Sequence, residues 1–207
     1  MKQYYDFYAD RRFDVSQPKT GLIRCFDLFY NSGGWDDYPP QKYLHEIGGT
    51  GHISPVITSS MTIIFGKIMR RVAQLLGKTE DIKKYDEDIV FFENALQTAW
   101  DDDCGYFSYV VHDDEGNFKE FLRYKNGENY NKGFDGIYPY IAGAVTKEQN
   151  EICFRHIKED MLTKYGVSVV DTTAAYYSDS GYWNGSVWMP HQWILWKALL
   201  DRGENSS

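Results

Sequence analysis

Residues 31–40 read NSGGWDDYPP, and they place two adjacent carboxylates, Asp36 and Asp37, between a small-residue run and two prolines, with Trp35 and Tyr38 on either side. A carboxylic acid held in front of an aromatic wall can serve as a proton donor, which would be general acid/base chemistry. The glycines permit close backbone approach and the prolines stiffen the exit, so the pair sits on a constrained turn. Neighbouring side chains on such a turn point in different directions. One aspartate can therefore face a cleft while the other holds the loop. The same residue types also make ordinary surface turns, in which Asp bonds the local backbone.

Two further stretches have matching chemistry. In GYWNGSVW, residues 181–188, Tyr182, Trp183, Asn184 and Trp188 surround a glycine directly before the last apolar helix. Aromatic faces with an amide close by suit a sugar ring, whose apolar C–H faces are edged by hydroxyls. Packing of these indoles into a core is the alternative, most of all for Trp188 and Trp193. In NGENYNKGFDG, residues 126–136, Glu128, Asn129, Tyr130, Asn131 and Asp135 precede another apolar helix. In WDDDCGYF, Asp101 to Asp103 are expected to form a solvated turn. His52 and His191 are the candidates for a non-carboxylate base. No HExxH, P-loop, dinucleotide-binding or GxSxG pattern occurs, so no metal or cofactor is implied.

Composition agrees with a sugar-binding surface. The 207 residues include 17 Tyr, 12 Phe and 6 Trp, many of them in polar, glycine-containing stretches. A net charge of −8 argues against nucleic acid, because phosphate binding needs a basic face. Cys25, Cys104 and Cys153 lack metal-type spacing and are expected as free thiols. The N-terminus lacks a signal-type apolar core, and no run is long enough to span a membrane. The expectation is a soluble, cytoplasmic protein with no membrane partner.

Paired helices must position these loops. Ile57, Met61, Ile64, Phe65, Ile68, Val72 and Leu75 repeat at helical spacing and predict a helix over approximately 55–76, capped by Ser54 and ended by Gly77. Thr79 caps a second, with Ile82, Tyr85, Ile89, Phe92, Leu96 and Trp100 on one face. The alternation around Phe107, Tyr109 and Val111, followed by DDEGN, predicts an inserted β-hairpin. Helices follow near 134–145, from Thr146 through Leu162 with a Thr146/Gln149 capping box, and near 186–202. The last is apolar on nearly all sides and is expected to be buried. The pattern is an all-α single domain over 1–207, with five or six helices and long loops.

SGGWDDYPP resembles the SG-x-DD-x-P signature of glycoside hydrolase family 63, and GYWNGSVW resembles the YWRGPVW segment that this family shares with trehalases. The resemblance implies a partial (α/α)6 barrel and an inverting mechanism on α-linked glucosides or mannosides. Asp36 would be the general acid, kept protonated near neutral pH by a partly desolvated aromatic setting. Asp37 would orient the loop, and Trp35, Tyr38, Trp183, Asn184 and Trp188 would line the sugar site. Asn184 and Ser186 replace the family's Arg and Pro, so an amide stands where a charged sugar contact is expected.

The family's base is a glutamate downstream of YWRGPVW, where this chain offers only Glu204. A full barrel of twelve helices needs well over ~300 residues. The expectation is a partial domain with little hydrolysis by itself and self-association through uncovered helices. A non-catalytic carbohydrate-binding module is the alternative. A sugar epimerase or polysaccharide lyase of similar architecture would instead use His52 or His191.

Overall fold

The longest apolar repeats in the chain pair with each other, and the helices Lys2–Ala9 and Phe134–Ala142 pack directly on that pair. A computed structural model describes residues 1–14, 17–24, 35–49 and 51–203; Cys25, the run 31–34 and Glu204 lie outside the described residues. Among these, seven α-helices run in the order α1 (Lys2–Ala9), α2 (Pro39–Glu46), α3 (Ile57–Leu75), α4 (Thr79–Gln97), α5 (Phe134–Ala142), α6 (Lys147–His156) and α7 (Met189–Arg202). None is long and apolar enough to cross a membrane.

The α3–α4 pair follows the sequence reading closely. Gly77 turns the chain with φ +65°, a conformation that only glycine adopts without strain, and Glu80 and Asp81 occupy the positive first turn of α4. Tyr85, Ile89, Phe92 and Leu96 are buried against α3. The cap on α3 differs from expectation. Ser54 precedes Pro55, which disfavours helical backbone at the residue before it, and Ser54 pairs in a strand instead. The Ile57 N–H donates to the carboxylate of Asp135, 2.9 Å away across the fold.

α5 packs on α3, α6 and α7. Gly143 ends α5 in the left-handed region, and α6 opens on the predicted capping box: the Gln149 N–H donates to the Thr146 hydroxyl at 3.2 Å, and the Thr146 N–H to the Gln149 side chain at 3.0 Å. A single π-helical turn, Ile157–Met161, follows.

Two helices lie outside the sequence expectation. α2 falls in what reads as a loop, because Pro39 and Pro40 occupy its first turn, where a missing N–H costs nothing. α1 has no side-chain cap and only eight residues, too few for helix stability in isolation. Packing supplies the stability: Tyr5 is buried edge-on to Phe65 and Tyr85, and its hydroxyl donates to Asp88 at 3.0 Å.

Seven short strands complete the described residues. β1 (Ile53–Ser54), β4 (Val110–His112) and β5 (Phe118–Phe121) form an antiparallel sheet in the order β1-β4-β5; β2 (Trp100–Asp101) pairs with β3 (Tyr106–Phe107), and β6 (Leu162–Thr163) with β7 (Gly166–Val167). The predicted hairpin is β4–β5, closed where Asp113 accepts the N–H groups of Glu115 and Asn117. Its alternation does not sort burial. Tyr106, Phe107, Tyr109 and Val110 are all buried, because α5 covers what would have been the solvent side.

Two other expectations are corrected. Asp102 and Asp103 are exposed, but Asp101 is 2% exposed, with Arg123 at 2.6 Å and the Asn129 amide at 2.9 Å. α7 is not buried all round: His191, Leu195 and Ala198 face inward, while Trp193 and Trp196 are 63% and 56% exposed. Its outer side borders a groove of about 980 Å³ between α3, α5 and α7, lined by Met61, Ile68, Ile141, Trp193 and Ile194 among others. Among the described residues no element covers that side.

Candidate active site

The turn at residues 35–38 is closed by the Tyr38 N–H donating to the Trp35 carbonyl at 3.0 Å, and α2 leaves it at once. This fixes the two aspartates at the start of a rigid element. Asp36 points to solvent and is exposed, so the described residues do not build the desolvated setting expected for it. Asp37 turns the other way and accepts the backbone N–H of Trp183 at 2.7 Å. That bond joins positions 146 residues apart. The two sequence stretches therefore form one site.

GYWNGSVW folds into a tight knot before α7. A Cβ on Gly185 would overlap the Ser178 carbonyl oxygen, so this position takes only glycine. Ser178 N–H donates to the Asn184 carbonyl at 3.0 Å, the Ser168 hydroxyl donates to the Gly185 carbonyl at 2.9 Å, and the Ser186 hydroxyl donates to the Gly181 carbonyl. The knot lines up three indoles. Trp35 stacks on Trp183 with centroids 5.6 Å apart, and Trp183 on Trp188 at 3.9 Å and 3°. Tyr182 stands edge-on to Trp188 at 4.9 Å, and the Trp188 indole N–H donates to the Tyr182 carbonyl at 3.0 Å.

Burial divides this column. Trp35 and Trp183 are buried, whereas Trp188 is half-buried and Tyr182 exposed, so the outer end presents the accessible aromatic surface. Tyr38 is fully buried and its hydroxyl donates to Asn131 at 3.0 Å, which places it beneath the surface. Asn184 is half-buried beside the column. Glu128 belongs to a different cluster: it accepts from Ala175 N–H and Asn126 at 2.9 Å each and lies 3.6 Å from Lys132. Exposed His52 gives its carbonyl to the His112 N–H.

Two buried groups under the site were less visible in the sequence. His191, in the first turn of α7, is edge-on to Trp35 at 4.8 Å, to Phe134 at 4.9 Å and to Trp183 at 5.5 Å. Burial lowers its pKa to about 4, so the ring is neutral. Its spacing of three from Trp188 and four from Leu195 puts it on the inward stripe, the one signal the sequence offered. Asp135 is wholly buried, receiving the Tyr109 hydroxyl at 2.7 Å as well as the Ile57 N–H. Burial pushes its carboxyl from 3.8 up to about 7, with the bonds from Tyr109 and Ile57 acting in the opposite direction.

Between these two values the folded chain keeps a proton that the unfolded chain releases. Stability from this group is therefore complete below pH 3.8 and is lost as pH rises to about 7. Asp135→Asn retains an acceptor for Ile57 but cannot ionise. Urea midpoints measured from about pH 4 to about pH 8 should show wild type losing ground steadily against the variant. A difference independent of pH would refute this.

Among the described residues, His156, Asp160 and Asp171 come close enough to share a metal ion. Their donors are already engaged. His156 meets Asp160 at 2.6 Å and the Cys104 carbonyl at 3.0 Å, while Asp171 accepts the Tyr106 hydroxyl at 3.0 Å and the Thr173 N–H at 2.7 Å. The group acts as a brace. Burial also pushes the thiols of Cys104 and Cys153 up to about 12, helped in Cys104 by the Asp101 charge.

The site can thus present one accessible acid, Asp36, next to an aromatic column. Inverting hydrolysis needs a second carboxylate roughly 6.5–9.5 Å from the first. Asp37 is committed to the Trp183 N–H.

Comparison with solved structures places the fold. A family 63 mannosylglycerate hydrolase from Thermus thermophilus, in complex with glucose, matches at TM-score 0.58 and 19% identity, covering 80% of this chain and 39% of that one. Neutral trehalase Nth1 from Saccharomyces cerevisiae matches at TM-score 0.55 and 14% identity, over 74% and 29% of the two chains. An uncharacterized conserved protein from Thermus thermophilus matches at 0.60 and 17%, over 96% and 50%. At these identities the likeness concerns fold, and the paired helices are part of an (α/α)6 barrel of the glycosidase type. The chain spans about two fifths of the mannosylglycerate hydrolase. No curated protein sequence matches it. The model of the mannosylglycerate hydrolase MGH1-like glycoside hydrolase domain matches residues 33–207, from just before Trp35 through the whole of α7, and the chain belongs to that family.

Proposed function

We propose that this chain carries the acid half of an inverting glycoside hydrolase site for α-linked glucosides or mannosides. Asp36 protonates the glycosidic oxygen as the bond to the anomeric carbon breaks. Water attacks the opposite face of that carbon and gives its proton to a carboxylate supplied from outside these residues. Tyr182, Asn184 and Trp188 meet the sugar, with Trp35, Tyr38 and Trp183 as the wall behind them, and Glu128 steadies the neighbouring loop. The observation that carries this reading is the Asp37 to Trp183 bond, which sets Asp36 beside the aromatic column.

A polypeptide that continues through the remaining barrel helices should release sugar with inverted anomeric configuration, read by NMR on an aryl α-glucoside and α-mannoside. The 207 residues alone should release none and should self-associate through the α3–α7 groove, seen by light scattering as mass above the monomer. Hydrolysis by the short chain, or retention of configuration by the long one, would sink the proposal. Sugar binding without hydrolysis by the long polypeptide would favour a non-catalytic carbohydrate-binding module.

A further inference from the structure

A pocket of about 390 Å³ lies behind Trp35, bordered by α1, α3, α5 and the first turn of α7 and open to solvent on one side. We propose that it binds a small phenolic group, with the ring against Ile57, Ile64 and Phe65 and the hydroxyl on His191. The site shares Trp35 with the sugar site, but neither Asp36 nor Asp37 lines it, so it does not rest on the glycosidase reading.

His191 points to a ligand. It is 5% exposed, it lines the cavity, and neither ring nitrogen has a hydrogen-bond partner among the described residues. A buried polar group left unpaired is unfavourable, and such groups in folded proteins normally find a partner. The neutral ring offers one N–H donor and one lone pair, and a phenolic hydroxyl can answer either.

The walls exclude the other ligand classes. Among the described residues no Lys or Arg lines the cavity, so an anion would find no counter-charge. A pyranose would bring several hydroxyls needing partners, whereas the lining is largely aromatic and aliphatic and, of its buried polar side chains, His191 is the one with no partner among the described residues. A plain hydrocarbon would leave His191 unpaired. An aromatic ring fits with room to spare, since a cavity of about 150 Å³ with apolar walls can hold benzene.

The test uses the full chain, with p-cresol, toluene and glucose as probes. Calorimetry should give saturable p-cresol binding and about tenfold weaker toluene binding, the ratio expected for one added hydrogen bond. In protein labelled at histidine ring carbons, p-cresol should move the His191 signal. His191→Phe should bring the two ligands within about twofold of each other. Ile64→Trp, which fills the cavity from partly exposed α3 without touching His191, should weaken both and keeps the test decisive if the first variant fails to fold. Equal affinity for p-cresol and toluene, an unmoved His191 signal, or displacement of p-cresol by glucose would each overturn the proposal.

Discussion

Asp36→Asn, in a polypeptide carrying these residues with the rest of the barrel, should lower the rate of sugar release by about 10²- to 10⁴-fold, the range removed with a general acid. Asn has nearly the same shape as Asp and cannot give a proton to the leaving oxygen. Stability should stay within about 0.5 kcal/mol of wild type, because Asp36 is exposed. Asp37→Ala should behave in the opposite sense. It removes the charged acceptor of the Trp183 N–H, a bond worth about 1.5–3 kcal/mol, and so unties the two loops. Chemical unfolding with single-turnover assays separates these effects. Full activity in Asp36→Asn would remove the acid assignment.

Trp183→Ala should cost about 3–5 kcal/mol of folding stability, the usual range for deleting a buried large aromatic. Against a typical total of about 5–15 kcal/mol, that loss is large enough to leave a substantial unfolded population. The indole fills the space between Trp35 and Trp188 and backs the edge of His191. Trp183→Phe should cost much less, because it keeps a ring in the column and removes an indole N–H that is buried without a partner among the described residues. The near-ultraviolet circular dichroism of the closely stacked 183–188 pair should vanish in both variants. A loss below about 1 kcal/mol in Trp183→Ala would mean that the column does not organise the site.

These effects rest on contacts of two different ranges, and that difference separates what the residues announce from what folding adds. The α3–α4 hairpin turn, the Thr146 capping box and the Gly77 stop are short-range: each depends on residues within one or two turns. They were legible for that reason. The family itself was legible in SGGWDDYPP and GYWNGSVW; in the second, the Ser178 carbonyl approaches Gly185 too closely for any side chain, and Trp183 and Trp188 stack.

Long-range packing decided the remainder. Whether Asp101 is solvated or buried depends on Arg123 and Asn129 arriving from the segment after β5, and α1 exists only because α3 and α4 receive Tyr5. α7 reads as a wholly buried helix, yet its outer tryptophans are exposed, since periodicity reports which residues are apolar and not which neighbours are present. The sequence by itself determined the helical framework and the two loops that could meet. Only the tertiary structure decided that Asp37 binds Trp183 while Asp36 faces solvent, because the direction of adjacent side chains on a turn is set by partners distant in the chain.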